Sequence, residues 1–529
     1  LARQATVSYF FGVSAHTDVY EAAFRAPNIL QNLLGEGTIS AAFIPTYTRL
    51  LNAGRVRDAG RFAGAIFGLL SAVTAVLVVV GMLLARPVVA LFTPGFVGDA
   101  ARVSAGTLSV DRFELAVEAT RLIFPMTGVL VMSAWALGVL NSHRRFFLPY
   151  FAPVLWNFSI IGGLFSGVAL LTGDGAVGAG VWSIAALNRL LFAAFLGALV
   201  GGVLQFLIQL PLVWRLMEGF RVSCSTKVEG VRQALAACGP AIAGRGVYQL
   251  SAYLDLLLAS FLAAGALAAL RPALMLYLLP VSLFGQSVAA SELPELSREA
   301  HVDSRSLIPR LDRSMGQTLF LTVPAAVGYL GLGFLIVDGL LRRGAFGLLD
   351  TWLVYGVLAG YSLGLVATTL SRLLQNGFWA LRDTVTPARV AVARVVVSAA
   401  IAVPLMFALD RWLVAELVGA VPDREPLYCG AVGLALGATV GAWVELWRLA
   451  TALRRQFSTF RIPWRRMLLM TGLSVGALAP AAVIGWWLRH FPSLPVAGAV
   501  VGTYAAVYLG CSRMLGFAEL DLWMGRVRR

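Results

Sequence analysis

The sequence predicts an all-α integral membrane protein of about fourteen transmembrane helices. Three observations carry that expectation. Of 529 residues, 59% are hydrophobic and 13% charged, whereas a soluble domain carries about 25% charged residues. Runs of about 20 apolar residues, the length that crosses a bilayer as a helix, recur from one end of the chain to the other. The connections between those runs alternate in charge.

The first span, 1–13, begins at Leu1 rather than Met, so it is expected to lack its start. The second, 18–48, is apolar yet carries Asp18, Glu21, Arg25, Asn28, Asn32 and Glu36. At roughly 100° per residue these six fall within an arc of about 80°, a single polar stripe, with Pro27 expected to bend the helix. A charge at mid-bilayer costs about 2.5–3.5 kcal/mol on insertion scales. The stripe must therefore face protein or a water-filled cavity, and both readings stand: a substrate path, or a structural ion-pair seam between packed helices. Cleaner spans follow at 62–85, 122–140, 146–172, 190–213, 233–264, 272–291, 314–337 and 351–371. The last four are 395–409, which should extend toward Thr386, then 426–444, 467–488 and 491–512.

Connections 49–61, 141–146, 215–232, 298–313, 382–394, 448–466 and the tail 513–529 hold 27 Lys and Arg, against 8 in the other set. Positive residues stay in the cytoplasm, so both termini are expected inside. The net charge of +15, arginine throughout except Lys227, thus reads as membrane topology and not as nucleic-acid binding. Arg25 and Arg245 sit too deep in their spans for snorkelling to explain them; Asp255 shares the span of Arg245. A faint echo links FIPTYTR, with Pro45 and Arg49, to ELPELSR, with Pro294 and Arg298, as two related halves of a transporter would.

Other motifs are weaker. Cys224, Cys238, Cys429 and Cys511 form no CxxC pair, and His16, His143, His301 and His490 are isolated, so no metal or cofactor is expected. No Walker A, HExxH or GxSxG motif occurs. Arg342-Arg343-Gly344-Ala345-Phe346 reads either as an outer headgroup contact or as a tight glycine turn with two solvated arginines. Arg382-Asp383-Thr384-Val385-Thr386-Pro387 reads as a helix start, with a gating role as the alternative. A polytopic glycosyltransferase would need a catalytic carboxylate among outer acids such as Asp99, Asp111, Glu114, Asp174 and Asp350, whose connections are too small for a catalytic domain; an enzyme is not expected.

Several segments together resemble the MurJ (MviN) family of lipid II flippases in the MOP transporter superfamily. They are TDVYEAAFRAPNILQNLLGEGTISAAFIPTY (17–47), GVLNSHRRFFLPYFAPVLWN (138–157), GGVLQFLIQLP (201–211), GPAIAGRGVYQLSAYLDLLLASFLAAGAL (239–267), LPELSR (293–298), LLRRGAFGLLDT (340–351) and YSLGLVATTLSRLLQNGFWALRDTVTP (361–387). The resemblance implies a MATE-like alternating-access carrier in the bacterial cytoplasmic membrane. Two six-helix lobes, 1–215 and 216–455, would flank a central cavity, and two further helices in 456–529 would hold a polyprenyl tail. Its substrate would be lipid II, the undecaprenyl-pyrophosphate-linked disaccharide-pentapeptide used in cell wall synthesis.

Carried onto this chain, the resemblance makes Arg3, Asp18, Arg25 and Glu36 substrate-site residues, with Asn28 and Asn32 on the same stripe. Arginine suits a buried diphosphate, since its planar fork stays charged and binds phosphate with two donors. There are departures. Gln31 and Asn32 stand where many relatives have an Arg pair, and Met275 where many have an arginine; Arg271, one turn earlier, and Arg245 could supply cations instead. The alternatives are therefore a flippase for another polyprenyl-linked glycan, a MATE-like exporter, or a scaffold that binds cell-wall synthesis proteins without transporting.

Overall fold

The computed structural model describes residues 1–35, 38–39, 42–173, 177–178, 181–286, 307–421, 425–517 and 519–520, without the side chains of 172–173, 177–178, 181, 240–252 and 255. Glu36, Asp174, LPELSR (293–298), His301 and Arg424 lie outside the described residues, as do the side chains of Arg245 and Asp255.

The chain packs as two compact units: residues 2–7 with 14–261, and residues 1 and 8–13 with 262–529. The division follows residue 261, whereas the sequence reading begins its second lobe at 216. The first unit holds α1 (Ala2–Phe11) in part, α2 (Ala15–Leu34), α3 (Ile44–Asn52), α4 (Val56–Leu83), α5 (Ala85–Phe92) and α6 (Asp99–Ser104). It continues with α7 (Arg112–Ser142), α8 (Phe147–Gly173), a two-residue ribbon of β1 (Val177–Gly178) and β2 (Val181–Trp182), α9 (Ile184–Leu207), α10 (Leu210–Leu216) and α11 (Val231–Ser260). The second unit holds α12 (Ala266–Pro280), α13 (Leu307–Leu341), α14 (Leu348–Ser362), α15 (Leu365–Ala380) and α16 (Val385–Leu409). It ends with α17 (Val414–Val418), α18 (Gly430–Gln456), α19 (Trp464–Trp487) and α20 (Ser493–Met514).

Among the described residues, eleven helical stretches are long and apolar enough to cross a membrane, and each falls on an expected span. The stretch Val385–Leu409 extends the short span at 395–409 as foreseen. The other three expected spans are not among the eleven, and the striped one at 18–48 is not a single helix: α2 stops at Leu34, capped by Gly35, and α3 begins at Ile44. The helix α1 has ten residues, α2 carries the polar stripe, and much of α11 lacks described side chains. The count of fourteen crossings is thus not reached by length and composition.

In the first unit α7 is central, packing on α2, α4 and α9, while α8 lies on α9. The core at one end stacks Tyr47 on Phe43 and Phe43 on Phe62, centroids 5.0 and 5.5 Å apart. Glycines 60, 64 and 68 line one face of α4. A Cβ at any of them would run into the carbonyl oxygen of Glu218, Arg221 or Ser223, so the extended segment after α10 lies directly on the helix backbone.

In the second unit α13 packs on α14, α15, α19 and α20. Prolines inside these helices remove N–H donors that lipid cannot replace, and tyrosines supply substitutes. The Tyr508 hydroxyl donates to Phe320 O at 2.9 Å, the carbonyl that Pro324 leaves without its usual partner. The Tyr329 hydroxyl donates at 2.6 Å to Leu276 O, which Pro280 cannot serve.

Both turn motifs of ambiguous reading have structural geometry. Gly344 sits at φ 60°, and the Ala345 N–H donates to Tyr9 O at 2.7 Å, leaving Arg342 and Arg343 exposed. Asp383 Oδ1 accepts the N–H groups of Val385 and Thr386 at 3.0 and 2.9 Å and so caps α16.

Candidate functional site

The polar stripe of α2 meets two different environments. At its start Asp18 is fully buried. The Arg112 guanidinium, 1% exposed, donates to Asp18 Oδ2 at 3.1 Å and to Asp99 Oδ2 and Oδ1 at 2.6 and 3.2 Å. The same guanidinium stacks on Phe96, 4.2 Å from the ring centroid, and Arg102 reaches Asp99 from the exposed side at 3.5 Å. This end of the stripe is the ion-pair seam. Sequence reasoning missed Arg112 and Asp99 as its members because both read as loop residues.

At its other end α2 opens onto a cleft of about 300 Å³ within the first unit. Gln31 and Asn32 enter it from α2, Ser133 from α7, Trp156 and Asn157 from α8, and Gln205 from α9. Leu130, Leu137, Pro149 and Pro153 supply its apolar surface. Arg3 stands beside it, half buried, its guanidinium over the Trp156 ring at 4.9 Å from the centroid. In that pose one face of the fork is covered, while its N–H edge has no hydrogen-bond partner among the described residues. Such an edge can take two oxygens of a phosphate.

Arg25 and Asn28 are half buried along the middle of the stripe, and Arg25 lies close enough to Tyr253 on α11 to act on it electrostatically. Arg271 is half buried on α12, in the second unit. The structure thus brings Arg3 and Asn32 to one cleft and puts Asp18 in the seam. Ser133, Trp156, Asn157 and Gln205 were not singled out from the sequence. Three of them lie in the segments 138–157 and 201–211, and amides within otherwise apolar runs were the available signal.

Acids on the side expected to face outward have other work. Asp99 belongs to the seam, and Asp111 caps α7 by accepting from Phe113 N and Glu114 N at 3.0 and 3.2 Å. Glu114 pairs with Arg86, and Asp350 Oδ2 accepts from Gly347 N and Val13 N at 2.9 and 3.3 Å. Among the described residues no cluster of His, Cys, Asp and Glu could hold a metal ion.

Comparison with known proteins gives one consistent answer. The family model "Lipid II flippase MurJ" matches residues 7–505. The lipid II flippase MurJ of Burkholderia cenocepacia is 29% identical over 98% of this chain and 94% of its own length. A probable lipid II flippase MurJ of Rhizobium tropici is 31% identical over 86% of this chain and 78% of its own length. Among solved structures, "Lipid II flippase MurJ, inward closed conformation" shares the fold with a TM-score of 0.68 at 21% identity, covering 97% of this chain and 96% of that one. An inward-facing MATE transporter of the MOP superfamily follows at a TM-score of 0.60 and 14% identity, over 86% of this chain and 93% of that one. A family match over nearly the whole length, on a MOP-type helical fold in a multi-pass membrane protein, decides the matter: the chain belongs to the MurJ family of lipid II flippases.

Proposed function

We propose that this chain moves lipid II from the inner to the outer leaflet of the bacterial cytoplasmic membrane by alternating access, for peptidoglycan synthesis. The family match over residues 7–505 carries this reading. It is a transporter and not an enzyme, and both termini lie in the cytoplasm, as the charge of the connections argues. Arg3 takes the pyrophosphate, supported by its stacked pose on Trp156. Arg25, Asn28, Asn32, Glu36, Arg245 and Arg271 complete the substrate path, and Asp18 acts in it as a positioning residue through its pair with Arg112. Any drive comes from an ion gradient, the membrane potential or consumption of the product.

The test is rescue of a flippase-depleted bacterium by the full-length protein. Arg3→Ala and Arg25→Ala are expected to abolish rescue while the protein still inserts at normal abundance, read by growth and by membrane immunoblotting. Normal growth on both variants overturns the assigned roles. The amides at Gln31 and Asn32 favour a second reading, a carrier of another polyprenyl-linked glycan. Binding of lipid II measured against other polyprenyl diphosphates separates the two.

A further inference from the structure

Among the described residues that line it, the cleft beside Arg3 carries no ionised group. Its chemistry is that of amides and one hydroxyl. Ser133 Oγ accepts two N–H donors, from Gln205 Nε2 at 3.2 Å and Gln209 Nε2 at 2.7 Å. Both lone pairs of that oxygen are then engaged, and its proton is left to donate. Asn157 Nδ2 turns back to Pro153 O at 2.9 Å, leaving Asn157 Oδ1 as an acceptor, and Gln205 Oε1 is in the same state. Behind them Gln209 Oε1 is buried with no partner among the described residues, which costs about 1–3 kcal/mol unless something donates to it. Gln31 and Asn32 add two carboxamides, each with donors and an acceptor.

A phosphate would be poorly served in this cleft. It carries charge and only accepts, and half of the polar atoms here are acceptors that would oppose it. A group that both donates and accepts, without charge, fits the inventory. Proline and leucine surfaces between the amides suit the C–H faces of a ring, and a volume near 300 Å³ is at the lower end for ligand clefts, enough for one sugar unit and not for a whole headgroup.

We infer that the cleft formed by Gln31, Asn32, Ser133, Asn157 and Gln205 is a saccharide subsite that holds an uncharged, acetamido- or hydroxyl-bearing pyranose, next to Arg3 as the separate anion site. This rests on the reading of the chain as a carrier of a sugar attached to a polyprenyl diphosphate. It adds that the sugar, and not the diphosphate, is what these substituted positions of α2 recognise.

The experiment uses the full chain in nanodiscs free of glycoside detergent, with N,N′-diacetylchitobiose and inorganic pyrophosphate as soluble probes, followed by saturation-transfer NMR. The wild type is expected to bind the disaccharide. Asn157→Leu with Gln205→Leu should weaken that binding about three- to tenfold per lost hydrogen bond and leave pyrophosphate binding unchanged. Arg3→Ala should do the reverse. Asn32→Arg, at an exposed position that leaves packing alone, should weaken the disaccharide and strengthen pyrophosphate. The inference is overturned if the wild type does not bind the disaccharide, or if neither the double variant nor Asn32→Arg alters its binding. Lipid II binding to the same samples keeps the two readings apart. Lipid II bound without the disaccharide removes the subsite and leaves the flippase reading standing. Disaccharide bound at the cleft without lipid II does the opposite.

Discussion

Asp18 and Asn32 share one face of one helix and do opposite things, and the difference lies in what reaches them. Arg112 arrives at Asp18 from a helix start 94 positions away and, with Asp99, closes the carboxylate off from water. Among the described residues nothing charged pairs with Asn32, which stays exposed. The stripe itself was legible because a 3.6-residue period is a local property of the sequence. The fates of its ends were not, because they depend on partners that no spacing rule connects to α2. Removing one member of a buried ion cluster leaves uncompensated charge, at a cost of about 3–5 kcal/mol. Arg112→Met is accordingly expected to lower stability by that order, measured by thermal unfolding in nanodiscs. Adding Asp18→Asn and Asp99→Asn to the same chain should recover most of the loss. An unchanged midpoint for Arg112→Met would show that the cluster does not hold the helices together.

At the scale of elements, two helix ends repeat one another. After α7, the Arg144 N–H donates to Asn141 O at 3.0 Å and the Arg145 N–H to Leu140 O at 2.9 Å, with Arg144 at φ 57°. After α15, Arg382 donates to Trp379 O and Asp383 to Phe378 O, both at 2.9 Å, with Arg382 at φ 61°. Each is a left-handed helix stop of the Schellman kind, a position that favours glycine, and each has a proline five residues on, Pro149 and Pro387. The sequence echo offered for two halves, FIPTYTR with ELPELSR, has one member outside the described residues. This second pair was overlooked because arginine does not advertise a left-handed turn.

Arg144→Gly and Arg382→Gly are each expected to raise stability by about 1 kcal/mol, by relieving the Cβ clash of that conformation. Unfolding midpoints check it, and a fall in both would contradict the geometry. The Asp383 cap is sensitive to acid. Hydrogen bonds from Thr386 and Val385 hold its carboxylate below the usual range, so its contribution is complete above the unfolded-state value and is lost as pH falls through the lowered folded-state one. Asp383→Ala should cost about 0.5–2 kcal/mol at neutral pH. The difference from wild type should shrink on acidification, as a pH series of unfolding midpoints would read.

For the whole molecule, eleven of the expected spans were legible because apolar length is a strong signal that burial in a bilayer imposes on every residue of the run. The compact unit ending at residue 261 was not legible, since apolar spans carry no mark of which neighbours they choose. Charge, by contrast, is a global signal. The connections alternate sharply in arginine, and on that charge bias we propose that the arginine-rich face lies in the cytoplasm. Native cysteines allow a direct test. Cys224 is exposed in the arginine-bearing connection before α11, while Cys238, Cys429 and Cys511 are only partly accessible. A membrane-impermeant maleimide should therefore leave Cys224 unlabelled in intact spheroplasts and label it after permeabilisation. In a Cys224→Ser background, Arg343→Cys places a thiol on the exposed turn of the opposite set, and this should label without permeabilisation. Labelling of Cys224 in sealed cells would invert the topology. With it would go the placement of both termini in the cytoplasm, because that placement rests on the same arginine-bearing connections.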